Sequence, residues 1–228
     1  MSPASPVNIV QLSRTGPTVS GSDRELRRLR AEFDRRHCIR FPSLLDPDSY
    51  RFIQRQVDEA AFAPRTHEKI AAELCMTVNP ALHMLNFLVN DGRFFHVVRE
   101  VTGCGHIGAF IGRVYRMASG MGHYDSWHSD FVDHRMIGMS VNLSPQAYSG
   151  GVFRLRERGS GTILTEAPNT GAGDAILFRI AHHVEHCVTD VEGAAPKTAF
   201  AGWFVSEPDF FSLLSTERLI VRSIATAE

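Results

Sequence analysis

Downstream of Gly105 the chain is cut into short β-forming runs by closely spaced turn residues, and that rhythm leaves few folds open. β-Branched and aromatic residues concentrate at about 107–117, 136–143, 151–156, 162–166, 174–179, 184–188 and 198–205. Between several of these runs lie Ser149-Gly150-Gly151, Arg158-Gly159-Ser160-Gly161 and Gly171-Ala172-Gly173-Asp174. Many short strands at regular spacing specify a β-sandwich or a small barrel.

The first hundred residues have a different texture. Ser22 and Glu25 form a capping box, and Leu26, Leu29 and Phe33 recur at helical spacing, which predicts a helix over about 22–36. A short strand, Cys38–Phe41, ends at Pro42. Asp46-Pro47 supplies an N-cap and a first-turn proline for a helix over about 47–61, and a third helix is expected over 92–102. A last helix is expected within 208–222. Residues 1–21, rich in Ser, Pro, Gly and Thr, read as a flexible arm. With 228 residues, no internal repeat and no dividing linker, residues 22–228 are expected to form one domain.

Composition narrows the function classes. A net charge of −1 provides no global field toward nucleic acid or an anionic membrane, and the basic run Arg27-Arg28-Leu29-Arg30 reads as a solvated helix face. No apolar run reaches the roughly 18 residues of a membrane span, and the N-terminus lacks the apolar core of a signal peptide. Cys38, Cys75, Cys104 and Cys187 are widely separated, without a C-x-x-C pair, as suits reduced, buried thiols. The expectation is a soluble cytoplasmic protein.

One stretch carries chemistry. In "AHHVEHCV", residues 181–188, His182-His183-Val184-Glu185-His186 is an H-x-x-E-H pattern, which on a helix would bind zinc. The flanking Val184, Val188, Thr189 and Val191 favour a strand instead. In a strand His182, Val184 and His186 share one face, while His183 and Glu185 take the other. His186 then needs distant partners. Upstream, "GMGHYDSWHSDF" contains H-x-D twice, as His123/Asp125 and His128/Asp130. An imidazole and a carboxylate two residues apart can converge with a second His on a neighbouring strand. That is the two-His-one-carboxylate arrangement of non-haem Fe(II) sites.

These residues resemble the Fe(II)- and 2-oxoglutarate-dependent oxygenases, in their prolyl-hydroxylase-like branch. The resemblance covers about 110–205 and rests on four separated elements: WHSDF, MIGMSVNLSPQAYSGGVFRLRE, GDAILFRIAHHVEHCVTDVEG and KTAFAGWF. His128 and His186 are 58 residues apart, and Lys197 follows His186 by 11. The resemblance selects His128, Asp130 and His186 as iron ligands, with His123/Asp125 as the alternative pair. It implies a double-stranded β-helix (jelly-roll) core over about 105–206, flanked by α-helices. It also implies Fe(II) as cofactor, 2-oxoglutarate and O2 as cosubstrates, and release of succinate and CO2.

In this family 2-oxoglutarate chelates iron through its 1-carboxylate and 2-keto oxygen, and a cation anchors its distal carboxylate. Lys197 matches that cation and Tyr115 a cosubstrate tyrosine. Arg113 shares the Tyr115 face and Trp203 the Lys197 face, so both are candidates for the substrate side. Asp133, His134 and Arg135 follow the metal motif, at the barrel mouth or in a solvated turn. The expected reaction is hydroxylation of an unactivated C–H in a small-molecule or amino-acid-derived substrate; desaturation, epoxidation and cyclisation use the same chemistry. The alternatives are a cupin-like metal-binding jelly roll, a scaffold without metal, or the H-x-x-E-H zinc hydrolase. Cupins favour H-x-H, which His128-Ser129-Asp130 does not match.

Overall fold

A computed structural model describes residues 8–132 and 134–215. The chain opens with a hairpin, β1 (Val10–Ser13) and β2 (Gly16–Val19), followed by α1 (Asp23–Arg36), β3 (Cys38–Phe41) and α2 (Pro47–Asp58). A second hairpin, β4 (Phe62–His67) and β5 (Ala71–Met76), precedes α3 (Pro80–Val89) and α4 (Gly92–Thr102). The core strands are β6 (Ala109–Met117), β7 (Tyr124–His128), β8 (Arg135–Asn142), β9 (Ser149–Gly150), β10 (Phe153–Glu157) and β11 (Ile163–Ala167). They continue with β12 (Ala175–Arg179), β13 (Val184–Val188), β14 (Val191–Glu192) and β15 (Lys197–Val205), before a short α5 (Phe210–Ser215).

The strands form a jelly roll. One face is the antiparallel series β4-β5-β6-β15-β8-β12-β3, and the opposing face is β7-β13-β10-β11. The two faces meet where β5 pairs with β7. Each strand of the larger face alternates. On β15, Phe200 and Phe204 point outward and interlock with Phe110 of β6. The outward residues share one core with Leu29 and Phe33 of α1, Ile53 and Val57 of α2, Leu85 of α3 and Phe94 of α4. Burial of that surface, at roughly 25 cal/mol per Å2, fixes which way the strands face. The inward set, Lys197, Ala201 and Trp203 of β15 with Arg113 and Tyr115 of β6, is thereby turned into the barrel.

The helices start where the sequence indicates. Ser22 and Glu25 complete the capping box of α1, and Asp46 caps α2 ahead of Pro47. One expectation is overturned. Residues 8–21 are not an arm: β1 and β2 pair, Val10 and Leu12 are buried, and Leu12 bridges to Leu45. The Ser/Thr/Gly composition marks the hairpin turn, while Ile9, Val10 and Leu12 supply the core face. Residues 1–7 lie outside the described residues. The expected terminal helix is observed as α5, and positions beyond 215 lie outside them as well. Among the described residues no helix is long and apolar enough to cross a membrane.

Candidate active site

His128 closes β7, and His186 sits at the centre of β13. The two are direct cross-strand partners, with ring centroids 4.3 Å apart. Asp130 follows β7 by two residues and turns back to the same point. Its Oδ2 lies 3.5 Å from His186 Nε2 and its Oδ1 3.8 Å from His128 Nε2. One donor atom from each of the three falls within 4.8 Å of the others. Two imidazole nitrogens and one carboxylate oxygen form the donor set that suits Fe(II) and leaves coordination positions open.

Neighbouring groups orient these donors. Nδ1 of His128 lies 2.8 Å from the Ser126 carbonyl and 3.3 Å from Asp125 Oδ1, which directs Nε2 to the shared point. Burial disfavours the His128 imidazolium, but Asp125, the Ser126 carbonyl and Asp130 outweigh it and lift the pKa to about 9. His186 packs against Phe153 and Phe178, and burial pushes its pKa down. Burial works against the Asp130 carboxylate as well. His186, His128, Trp203 and Arg135 nevertheless hold its pKa below the usual range. Trp203 Nε1 donates to Asp130 Oδ2 at 2.6 Å, and Arg135 Nη1 to Oδ1 at 3.3 Å. The Arg135 guanidinium lies 3.6 Å above the Trp203 ring.

The donors open onto a cavity of about 400 Å3. Lys197 lies in its wall and is 2% exposed. Its ammonium donates to the Gly151 carbonyl at 2.8 Å and to Tyr148 Oη at 3.3 Å. Among the described residues no carboxylate pairs with it, and burial pushes its pKa down to about 8. A buried ammonium without a counter-ion is costly unless an anion joins it, which is what the tail carboxylate of 2-oxoglutarate would do. Gly150 and Gly151 hold φ of 66° and 58°, left-handed backbone that carries the Gly151 carbonyl onto Lys197. Tyr115 is buried in the same wall, and no protein partner holds its hydroxyl among the described residues.

His128, Asp130, His186, Lys197, Tyr115, Arg113 and Trp203 thus all line one cavity. The alternative pair is not assembled: His123 lies outside the cavity lining, with Nδ1 accepting from the Ala118 amide, while Asp125 lines the cavity against Nδ1 of His128. The H-x-x-E-H ligand set is also not assembled. Its segment is not a helix: His182 and His183 lie in an exposed turn, Val184 opens β13, and Glu185 pairs with Arg156 and Arg158. Arg135 joins the cavity, whereas His134 lies in an exposed turn beside Glu207. Asp133 lies outside the described residues. Sequence reasoning missed Tyr148, although Y-S-G-G immediately precedes β10. It also missed Arg65 and Glu73, on a hairpin without a clear strand pattern.

Fold and donor set together define a jelly-roll protein with a two-His-one-carboxylate centre. Residues 112–205 match the family model of the 2OG-Fe(II) oxygenase superfamily. This segment is a 2OG-Fe(II) oxygenase domain of prolyl-hydroxylase-like fold, and the protein is an Fe(II)- and 2-oxoglutarate-dependent dioxygenase. Its cofactor is Fe(II), and its cosubstrates are 2-oxoglutarate and O2. A prolyl-4-hydroxylase from Pseudomonas putida is similar in structure, with a TM-score of 0.60 at 17% identity, over 80% of this chain and 99% of that one. A 2OG-Fe(II) oxygenase-family oxidoreductase from Burkholderia pseudomallei gives 0.61 at 14% identity, over 83% and 93%. A Trichoplax adhaerens prolyl hydroxylase, in complex with a hypoxia inducible factor peptide fragment, gives 0.60 at 14%, over 88% and 93%. No curated protein sequence matches the chain.

Proposed function

We propose that His128, Asp130 and His186 hold Fe(II), and that Lys197 holds the distal carboxylate of 2-oxoglutarate, with Tyr115 beside the cosubstrate and Tyr148, whose hydroxyl donates to the Asn169 carbonyl, positioning the Lys197 ammonium. We further propose that the enzyme hydroxylates an unactivated C–H of a small-molecule or amino-acid-derived substrate. One observation carries this reading: three donor atoms converge in a cavity whose wall holds a buried ammonium without a carboxylate partner. Bound Fe(II), with 2-oxoglutarate and O2, supplies the oxidising power, and 2-oxoglutarate leaves as succinate and CO2.

The chain's own residues place the reactants. Trp203 and Arg135 orient the Asp130 carboxylate, and the Ser126 carbonyl fixes the tautomer of His128. Phe153 and Phe178 keep water from the His186 side of the centre. The peptide held by the Trichoplax neighbour is an alternative kind of substrate. A cavity of about 400 Å3, near the low end of the ~300–1,000 Å3 common for ligand pockets, favours a smaller one.

The test is anaerobic. Adding Fe(II) and then 2-oxoglutarate to the apoprotein should produce the weak visible charge-transfer band of a chelated keto acid. Tight zinc binding without that band would sink the assignment. Trp203→Phe removes the indole donor to Asp130 while keeping an aromatic wall. Iron affinity should fall by about 10–100-fold, the usual consequence of losing an outer partner. Unchanged affinity in an iron titration would mean that Trp203 merely fills space.

A further inference from the structure

Resting on the iron and cosubstrate assignment above, the other charges of the cavity bear on the substrate. Four cationic side chains line it: Arg65, Arg113, Arg135 and Lys197. Lys197 is committed to 2-oxoglutarate. Of the acidic groups, Asp130 belongs to the metal centre and Asp125 lies against His128. Against three arginines there remain Glu73 and a single contact from Asp130 to Arg135. A single oxygen of Glu73, Oε1, accepts from Arg113 Nε at 2.6 Å and from Arg65 Nη1 at 3.1 Å.

Among the described residues the two terminal nitrogens of Arg113 have no protein partner. Arg135 gives Asp130 one long contact of 3.3 Å, and the nearby charge of Arg113 acts on it unfavourably. A cross-strand tie between β4, β5 and β6 would account for the Arg113 Nε contact. It leaves the free end of the fork and the uncompensated charge unexplained. Like charges gathered in a partly dry pocket are stable only with an anion among them. A guanidinium edge with both terminal nitrogens free matches a carboxylate in two parallel hydrogen bonds. The limited cavity, shared with 2-oxoglutarate, requires that the anion be small.

We infer that the enzyme acts on a small carboxylate-bearing substrate, whose carboxylate docks on the free edge of Arg113 with Arg65 and Arg135 flanking it. The test uses enzyme loaded anaerobically with Fe(II) and saturating 2-oxoglutarate. Benzoate, hippurate and L-leucine are titrated beside their amides, with inorganic phosphate as a further arm. Binding is read by calorimetry and by perturbation of the charge-transfer band. Within the pairs that bind, the carboxylate should be favoured by about tenfold or more, a charge-assisted contact against a neutral one. Arg113→Gln should erase that preference. Glu73→Gln, which adds one positive charge, should enlarge it, so the two variants move in opposite directions.

Equal affinity for acids and amides, or no binding by any acid, would overturn the inference. So would a preference that survives Arg113→Gln. Phosphate binding more tightly than every carboxylate, with the same variant dependence, would overturn it in favour of a phosphorylated substrate. Failure of the underlying iron reading is separately visible, because the wild-type band would then be missing before any probe is added.

Discussion

Lys197→Met is expected to abolish 2-oxoglutarate binding at micromolar concentrations and, at the same time, to make the apoprotein harder to unfold at pH 7. Both effects have one origin, the ammonium that is 2% exposed and that, among the described residues, bonds to a carbonyl and a phenol but to no carboxylate, Asp125 acting on it only from beyond ion-pair distance. Burial lowers its pKa from 10.5 to about 8. At about 1.4 kcal/mol per unit, holding that charge in the folded apoprotein costs on the order of 3 kcal/mol at neutral pH. Methionine fills similar space without charge, so net stabilisation of up to about 2 kcal/mol remains after the two hydrogen bonds, about 0.5–1.5 kcal/mol each, are lost.

Cosubstrate affinity should fall by about 30- to 4,000-fold, because truncating one partner of a buried charge pair costs about 2–5 kcal/mol. The pH dependence has a definite sign. Between about 8 and 10.5 the unfolded chain binds more protons at this lysine than the folded one, so wild-type stability rises with pH across that window. Affinity for 2-oxoglutarate runs the other way and weakens as pH climbs past about 8. Calorimetric unfolding and 2-oxoglutarate titrations at pH 7 and 9 check both. A methionine variant that binds cosubstrate within tenfold of wild type would remove Lys197 from the proposed site.

The second large effect separates two histidines four residues apart. His186→Ala should eliminate the anaerobic charge-transfer band and succinate release, a larger loss than the about 10–100-fold typical of outer-sphere partners. His182→Ala should leave both intact, since His182 is exposed and meets His183 and Phe131 edge-on, away from the donor atoms. Removing the His186 ring also leaves space beside Phe153 and Phe178, at a cost of roughly 1–3 kcal/mol. Circular dichroism at the assay temperature confirms that the variant is folded, and His128→Ala gives an independent repeat. Equal loss in the His182 and His186 variants would return the segment to a helical zinc site.

The legible parts of this protein are those where local pattern and tertiary need agree. Val184–Val188 is dense in β-branched residues and is buried on the face that carries His186, so the strand and the inward placing of His186 were readable together. Lys197 was readable because alternation along β15 ties it to Ala201 and Trp203. The hairpin Phe62–Met76 was not. β4 contains Pro64, β5 is built from Ala, Glu, Leu and Met, and pairing with β6 and β7 overrides those preferences. Arg65 and Glu73 were therefore invisible as site residues. Helix α3 did carry a signal in Asn79-Pro80 and the spacing of Leu82, Leu85 and Val89. Tyr148 escaped because it lies on a connection, where side-chain direction has no period to follow.

The pairing of His128 with His186 also bears on how the barrel closes. β7 meets β13 at two positions with a bulge between them, and meets β5 at two more. Each of its five residues is only half-buried, so burial alone specifies its register weakly. A slip of one residue would swing His128 to the opposite face. An ion gripped by both histidines would pin the seam where the two faces of the jelly roll join. Held by the proposed ligands, the ion would act as an assembly check, because only a chain threaded in the right register would bring both histidines to it.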